Sequence, residues 1–253
     1  MGKLIRSFLG GVAFYTVIPL SVPWELAIER VARWAPVIGL LIGGLLGLSD
    51  VALEFLGIPI LTRSALIIAL GVGLTGGLHL DGTLDTADGL AVPQKERRLE
   101  VMKESTVGAF GAIAGIVLLI LKTAALGDIQ LHRWLALMLA AGWGRWGQVL
   151  AIALYPYLRA TGTGAFHKQH LRCPQDVLLG LFFLLGCSGI FLWLEPQRWW
   201  EGIIVVQGSS AIAFLTGYWF YRQFQGHTGD TYGAVVEWSE AFILCLLTGF
   251  LHR

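Results

Sequence analysis

Asp81, Asp85 and Asp88, in "GGLHLDGTLDTADGL" (76–90), place three carboxylates within eight residues of a 253-residue chain that is only 14% charged. On a helix turning 100° per residue they fall at about 0°, 40° and −20°, a single narrow face. Carboxylates stacked this way repel one another unless a cation sits between them. Oxygen-only ligands suit Mg²⁺ or Mn²⁺, and Mg²⁺ completes its shell with water and substrate phosphate. Asp81, Asp85 and Asp88 are therefore candidate metal ligands and catalytic residues, with Asp81 and Asp85 first. Asp88 is either a third ligand or the base that takes a hydroxyl proton. Gly82 and Gly89 weaken a purely structural helix yet let a phosphate approach the backbone. The plainer alternative is a helix end with caps and solvated acids. His79 falls about 160° from the acids and reads as a satisfied packing histidine. Thr86 reads as a hydroxyl bonding back to its own helix.

Further polar groups qualify as substrate-binding candidates. "TGDTYGAVVE" holds Asp230 and Glu237 seven residues apart, one face of a helix that begins at Asp230. Asp230 is then either a second acidic contribution, with Glu240 at the fringe of the same stripe, or simply an N-cap. Lys122 and Arg145 lie inside apolar stretches, where a lone cation is costly and needs a partner or a function. The partners open to them are the acids, in plain ion pairs, or a substrate phosphate. Arg97, Arg98 and Lys103, in "QKERRLEVMKES" (94–105), read as a solvated helix face or as a grip on phosphate. His167 and His170 belong to a flexible, substrate-covering loop rather than a metal pair.

The elements that must hold these groups are membrane helices. The chain is 55% hydrophobic, above the share usual in soluble domains. Seven apolar stretches are long enough to cross a bilayer: 36–56, 64–80, 108–127, 134–155, 176–194, 201–221 and 234–251. The expected fold is an all-α integral membrane protein, a polytopic bundle of about seven transmembrane helices forming one domain, 1–253. An N-terminal segment, Leu4 to Leu20, reads as a retained amphipathic or re-entrant element. The segment "GLLIGGLLG" (39–47) reads as small-residue helix packing. Cys173, Cys187 and Cys245 have no metal or redox spacing. A net charge of +1 gives no hint of nucleic-acid binding, and the chain is compatible with a homo-oligomer in the lipid bilayer.

If the spans alternate, twelve Lys and Arg lie on the side of the N-terminal segment and four on the other. That asymmetry makes the first side cytoplasmic. The aspartates and the other polar motifs fall there too, so the substrates should be cytoplasmic. An ion-coupled transporter would need both sides, and paired Gly-interrupted halves are not found.

"TGGLHLDGTLDTADGL" (75–90) closely resembles the signature of the cobalamin synthase family, the adenosylcobinamide-GDP ribazoletransferases. "FYTVIPL" (14–20), "RWAPVIGLLIG" (33–43), "RRLEVMKESTVGAFG" (97–111), "GRW" before "YPYLR" (144–159) and "TGDTYGAVVEWSE" (228–240) resemble its other blocks, in family order. The one departure is "DGTLDTADG" where "DGLADTADG" is expected; all three aspartates are kept. The resemblance implies a prokaryotic inner-membrane enzyme with Mg²⁺ as cofactor. Its implied reaction joins adenosylcobinamide-GDP to α-ribazole or its phosphate, releasing GMP and forming adenosylcobalamin or its phosphate. A metal bridging the donor's two phosphates suits a step that depends on positioning and charge neutralisation. The CDP-alcohol phosphotransferases use a similar site logic, but their Ala-Arg after Asp-Gly is absent here.

Overall fold

The computed structural model describes residues 2–21 and 25–252, and among these it forms α-helices and short 3₁₀ turns with one isolated β-bridge. Helix α1 (Lys3–Tyr15) buries Ser7, Gly10, Gly11 and Tyr15 and exposes Leu4 and Ile5. Its 13 residues, about 20 Å, are too few to cross a hydrocarbon core, which agrees with an amphipathic or re-entrant element. A turn at Val31–Trp34 leads into α2 (Ala35–Phe55), the first long apolar helix.

The second expected span is not continuous. It divides into α3 (Ile60–Leu74) and α4 (Leu78–Ala91), which meet at a bend of 92°. The cause is local: Gly76 and Gly77 have φ of 61° and 70°, a left-handed conformation that glycine adopts without strain. The Gly77 amide donates to the Val72 carbonyl (2.9 Å) and the Gly76 amide to that of Gly73 (3.0 Å), which is a Schellman stop. The acids thus ride on a separate helix turned away from α3, not on the tail of a straight span.

After the four-residue α5 (Arg98–Val101) come α6 (Ala109–Asp128), α7 (Arg133–Leu154), the short α8 (Thr163–His170), α9 (Gln175–Leu194), α10 (Trp199–Phe224) and α11 (Gly229–Leu251). Of these, α6, α7, α9, α10 and α11 are long and apolar enough to cross a membrane. With α2 and the broken α3–α4 pair they make the polytopic membrane bundle. Its outer surface is lipid-like, with Phe55 91% and Trp193 79% exposed. The mostly buried α7 is the central pillar. Gly39, Gly43 and Gly47 of α2 face it so closely that a Cβ would strike Ala141, Leu137 and Trp134, the close backbone approach that small residues permit in lipid.

Each end of the bundle has its own lock. At one end Asp50 accepts from Arg133 Nε and Nη2 (2.7 and 2.8 Å) and pairs with Arg63 (3.1 Å). The amides of Gln130 and Leu131 donate to the Leu251 carbonyl there (2.8 and 2.9 Å). The opposite end collects the polar motifs: Arg30 pairs with Asp176, and Lys168 donates to the Ile152 carbonyl at the end of α7 (2.7 Å).

Candidate active site at the crossing of α4 and α11

Two glycines let α4 and α11 touch backbone to backbone. A Cβ on Gly82 would lie 2.7 Å from the Asp230 carbonyl oxygen, and one on Gly233 would lie 2.9 Å from that of His79. Helix α11 starts from Thr228, whose hydroxyl accepts from the Thr231 amide (3.3 Å) while the Thr231 hydroxyl accepts from the Thr228 amide (2.8 Å). Thr228 is therefore the cap. Asp230, in the first turn, keeps its carboxylate for other partners.

One of those partners is Arg159. Residues 156–158 pair with His227: the Leu158 amide donates to the His227 carbonyl (2.8 Å), and the His227 amide donates to that of Pro156 (2.9 Å). This places Arg159 Nη2 at 2.8 Å from Asp230 Oδ2 and 3.3 Å from the Met102 carbonyl. In the sequence Arg159 is one of the twelve Lys and Arg on the side of the N-terminal segment. Its place in the polar block "YPYLR", directly after a span, was the available signal.

Facing Arg159 across the crossing are the acids of α4. The charged groups around Asp85 are Asp81, Asp230, Asp88 and Arg159. Among the described residues, neither the Asp81 nor the Asp85 carboxylate has a hydrogen-bond or ion-pair partner. Asp81 is exposed and lines an open recess of about 620 Å³ with Phe14, Thr16, Gly76 and Leu84. Asp88 is engaged differently: it accepts from the amides of Gly108 and Gly111 (2.7 Å each) at the start of α6, where a helix N-terminus favours negative charge. Asp88 thus stands apart from Asp81 and Asp85 in its partners. Among the described residues no three His, Cys, Asp or Glu side chains are gathered to hold a metal unaided, because α6 begins opposite Asp88 and draws it aside. Two unpartnered carboxylates, Asp81 at the recess and Asp85 one turn further along α4, still fit Mg²⁺, which takes one or two carboxylates and fills the rest of its shell with water and phosphate.

Several other candidates lie away from this crossing. Lys122 donates to Glu237 (2.6 Å) and Glu240 (2.7 Å), and Arg145 donates to Glu240 (2.7 Å), all inside the bundle. This buried network pairs two cations with two carboxylates, so Lys122, Arg145 and Glu237 are partnered within the bundle. The space beside Gly82 is filled by the Asp230 backbone and that beside Gly89 by the Met102 side chain. Glycine at both positions therefore serves packing. Arg98 donates to the carbonyls of Val92 (3.1 Å) and Gln223 (3.0 Å), tying the loop after α4 to α10. Arg97 and Lys103 stand exposed on that loop.

His79 is buried as expected but not satisfied, since both ring nitrogens lack partners. Thr86 bonds back to the Gly82 carbonyl (2.6 Å) as expected. Residues 163–170 form a helix rather than a loose loop, with His167 buried against the Phe14 ring (centroids 4.8 Å apart). Burial pushes His167 and His227, both outside the spans, down to about 4.

Fold and site together define a polytopic membrane protein that gathers acids and one arginine at one end of its bundle. The chain belongs to the cobalamin-5-phosphate synthase family, which matches residues 7–248. A protein of Trichormus variabilis named adenosylcobinamide-GDP ribazoletransferase is 54% identical over 97% of both chains. Proteins of the same name from Synechocystis (50% identical over 92% of this chain and 90% of the relative) and Thermosynechococcus vestitus (43% over 98% of both) are also similar. No solved structure matches the chain.

Proposed function

We propose that this chain transfers the adenosylcobinamide phosphate group of adenosylcobinamide-GDP to a ribose hydroxyl of α-ribazole or its phosphate. GMP leaves, and adenosylcobalamin or its phosphate forms. The relatives' shared name over nearly the whole chain supports the reaction. The observation that carries the site is the α4–α11 crossing, where Arg159 pairs with Asp230 and Asp85 lies within the charge influence of both and of Asp81.

Displacing GMP from a diphosphate needs charge neutralisation and alignment more than covalent chemistry. Asp81 and Asp85, whose oxygens are free, would hold Mg²⁺; when bound, the ion supplies Lewis-acid stabilisation of the donor phosphates and of the departing GMP. Arg159 presents its guanidinium to the donor phosphate, a geometry suited to paired oxygens. The acceptor hydroxyl loses its proton to an α4 carboxylate. Asp88, with both oxygens engaged by amides, is better placed to fix α4 against α6 than to take that proton, which leaves it to Asp85 or Asp81.

The excess of Lys and Arg at this end supports a cytoplasmic orientation in the inner membrane. The test is GMP release by protein purified into phospholipid nanodiscs with Mg²⁺. Release from adenosylcobinamide-GDP only when α-ribazole or its phosphate is present is the expected result. CMP release from a CDP-linked lipid, with none of GMP from the corrinoid donor, would overturn the reading.

A further inference from the structure

A large cavity lies on the other side of α4 from the acids. It is an apolar cleft of about 690 Å³ between α4, α6, α10 and α11, walled by Ala87 and Leu90 of α4, Ala114 of α6, Ile212 and Trp219 of α10, and Phe242 of α11. Its mouth is open: Leu215 is 57% exposed and Trp219 49%. Ala87 and Leu90 fall roughly 100° to 180° around the helix from Asp81, Asp85 and Asp88, so the cleft belongs to a different face from the one that does chemistry.

We infer that this cleft binds one acyl chain of an anionic phospholipid whose phosphate rests on Arg222. Three features agree. Along α10 the cleft runs from Ile212 to Arg222, ten residues or about 15 Å, which is half the roughly 30 Å hydrocarbon core and hence the depth of a single leaflet. Tyr218 and Trp219, about one turn from Arg222 near the end of α10, are the residue types that settle at the ester and headgroup level. The end marked by Arg222 carries free positive charge: its Nη1 donates to the Tyr218 hydroxyl (2.8 Å), and it has no carboxylate partner among the described residues. Arg98, bonded to the Gln223 carbonyl, adds a second cation beside it. An acyl chain in this slot would support the back of the acid helix, so bound lipid and the arrangement of Asp81 and Asp85 would be linked.

The experiment uses the full chain in nanodiscs of equimolar phosphatidylcholine and phosphatidylglycerol, moved into detergent and weighed by native mass spectrometry. One phosphatidylglycerol retained per chain is expected. Arg222→Gln should lower that retention about five-fold, as expected for one basic residue at an anionic surface, and should abolish the preference over phosphatidylcholine. Ala87→Phe should empty the slot. Leu215→Trp, at an exposed position where folding is not at stake, should do the same from the mouth. Retention unchanged in both filling variants, equal retention of the two lipids by the unmodified chain, a lipid-free dimer, or displacement of the lipid by α-ribazole would each overturn the assignment.

Discussion

Arg159 and Asp230, 71 residues apart, form a 2.8 Å ion pair across the mouth of the α4–α11 crossing. Both are only partly shielded, with side chains 25% and 21% exposed, so the pair is worth little as a stabilising contact. Its value lies in holding a guanidinium beside unpartnered carboxylates, ready to exchange Asp230 for an arriving phosphate. Arg159→Ala should therefore lower kcat/KM for the nucleotide-linked donor by roughly 10- to 100-fold, the scale of one charge-assisted hydrogen bond, with little change in melting temperature. Arg159→Lys should restore part of the loss, because it keeps the charge but not the planar fork. Steady-state GMP release and a thermal melt decide it; a collapse in melting temperature would show that the residue is structural instead.

Asp81→Asn and Asp85→Asn test the metal site. Each removes a carboxylate without a partner, so neither should cost stability, and relief of mutual repulsion should slightly raise it. Turnover should fall to background in both, and raising the Mg²⁺ concentration should recover some activity if only metal affinity was lost. Near-normal turnover in either variant excludes that residue as an essential ligand.

The membrane bundle was legible in the sequence because a bilayer demands long apolar runs, and runs such as 108–127 and 234–251 coincide closely with α6 and α11. The break between α3 and α4 was not. Gly76 and Gly77 sit inside an apolar stretch of a glycine-rich chain, and only their positive φ separates a stop from ordinary small-residue packing. The acids were found by their spacing on one helix. Their surroundings were not, since the partners come from distant segments: Gly108 and Gly111 for Asp88, and Glu237 for Lys122, 115 residues away. Spacing within a helix reads directly from sequence, whereas pairing between helices depends on how they pack.

Asp88→Ala should behave unlike the other two aspartate variants. It frees the amides of Gly108 and Gly111 at the start of α6, a loss of about 1–2 kcal/mol by analogy with a missing helix cap. The melting temperature should drop by several degrees, at about 2–4 °C per kcal/mol for a chain of this size. Asp88→Asn, which can still accept one of the two bonds, should lose less. Equal melting temperatures for Asp88→Ala and the unmodified chain, together with lost turnover, would return Asp88 to the reacting centre.

Two buried histidines outside the spans, His167 and His227, set an acid limit on stability. Burial holds the folded-state values of His167 and His227 at about 4, below the unfolded value of about 6.5. Protonation thus favours the unfolded chain, and the stabilisation is fully present above about pH 6.5 and is lost as the pH falls towards 4. The shift corresponds to about 3 kcal/mol per histidine at most, and near pH 5 the pair should already cost a few kcal/mol. Melting temperature should be flat from neutral to mildly alkaline pH and fall steeply below about pH 6. His227→Gln should flatten that fall. Because His227 also receives Leu158 and donates to Pro156 through its backbone, which a side-chain change leaves in place, Arg159 should stay at Asp230 in the variant. An unaltered acid slope in both His227→Gln and His167→Gln would show that other groups set the limit.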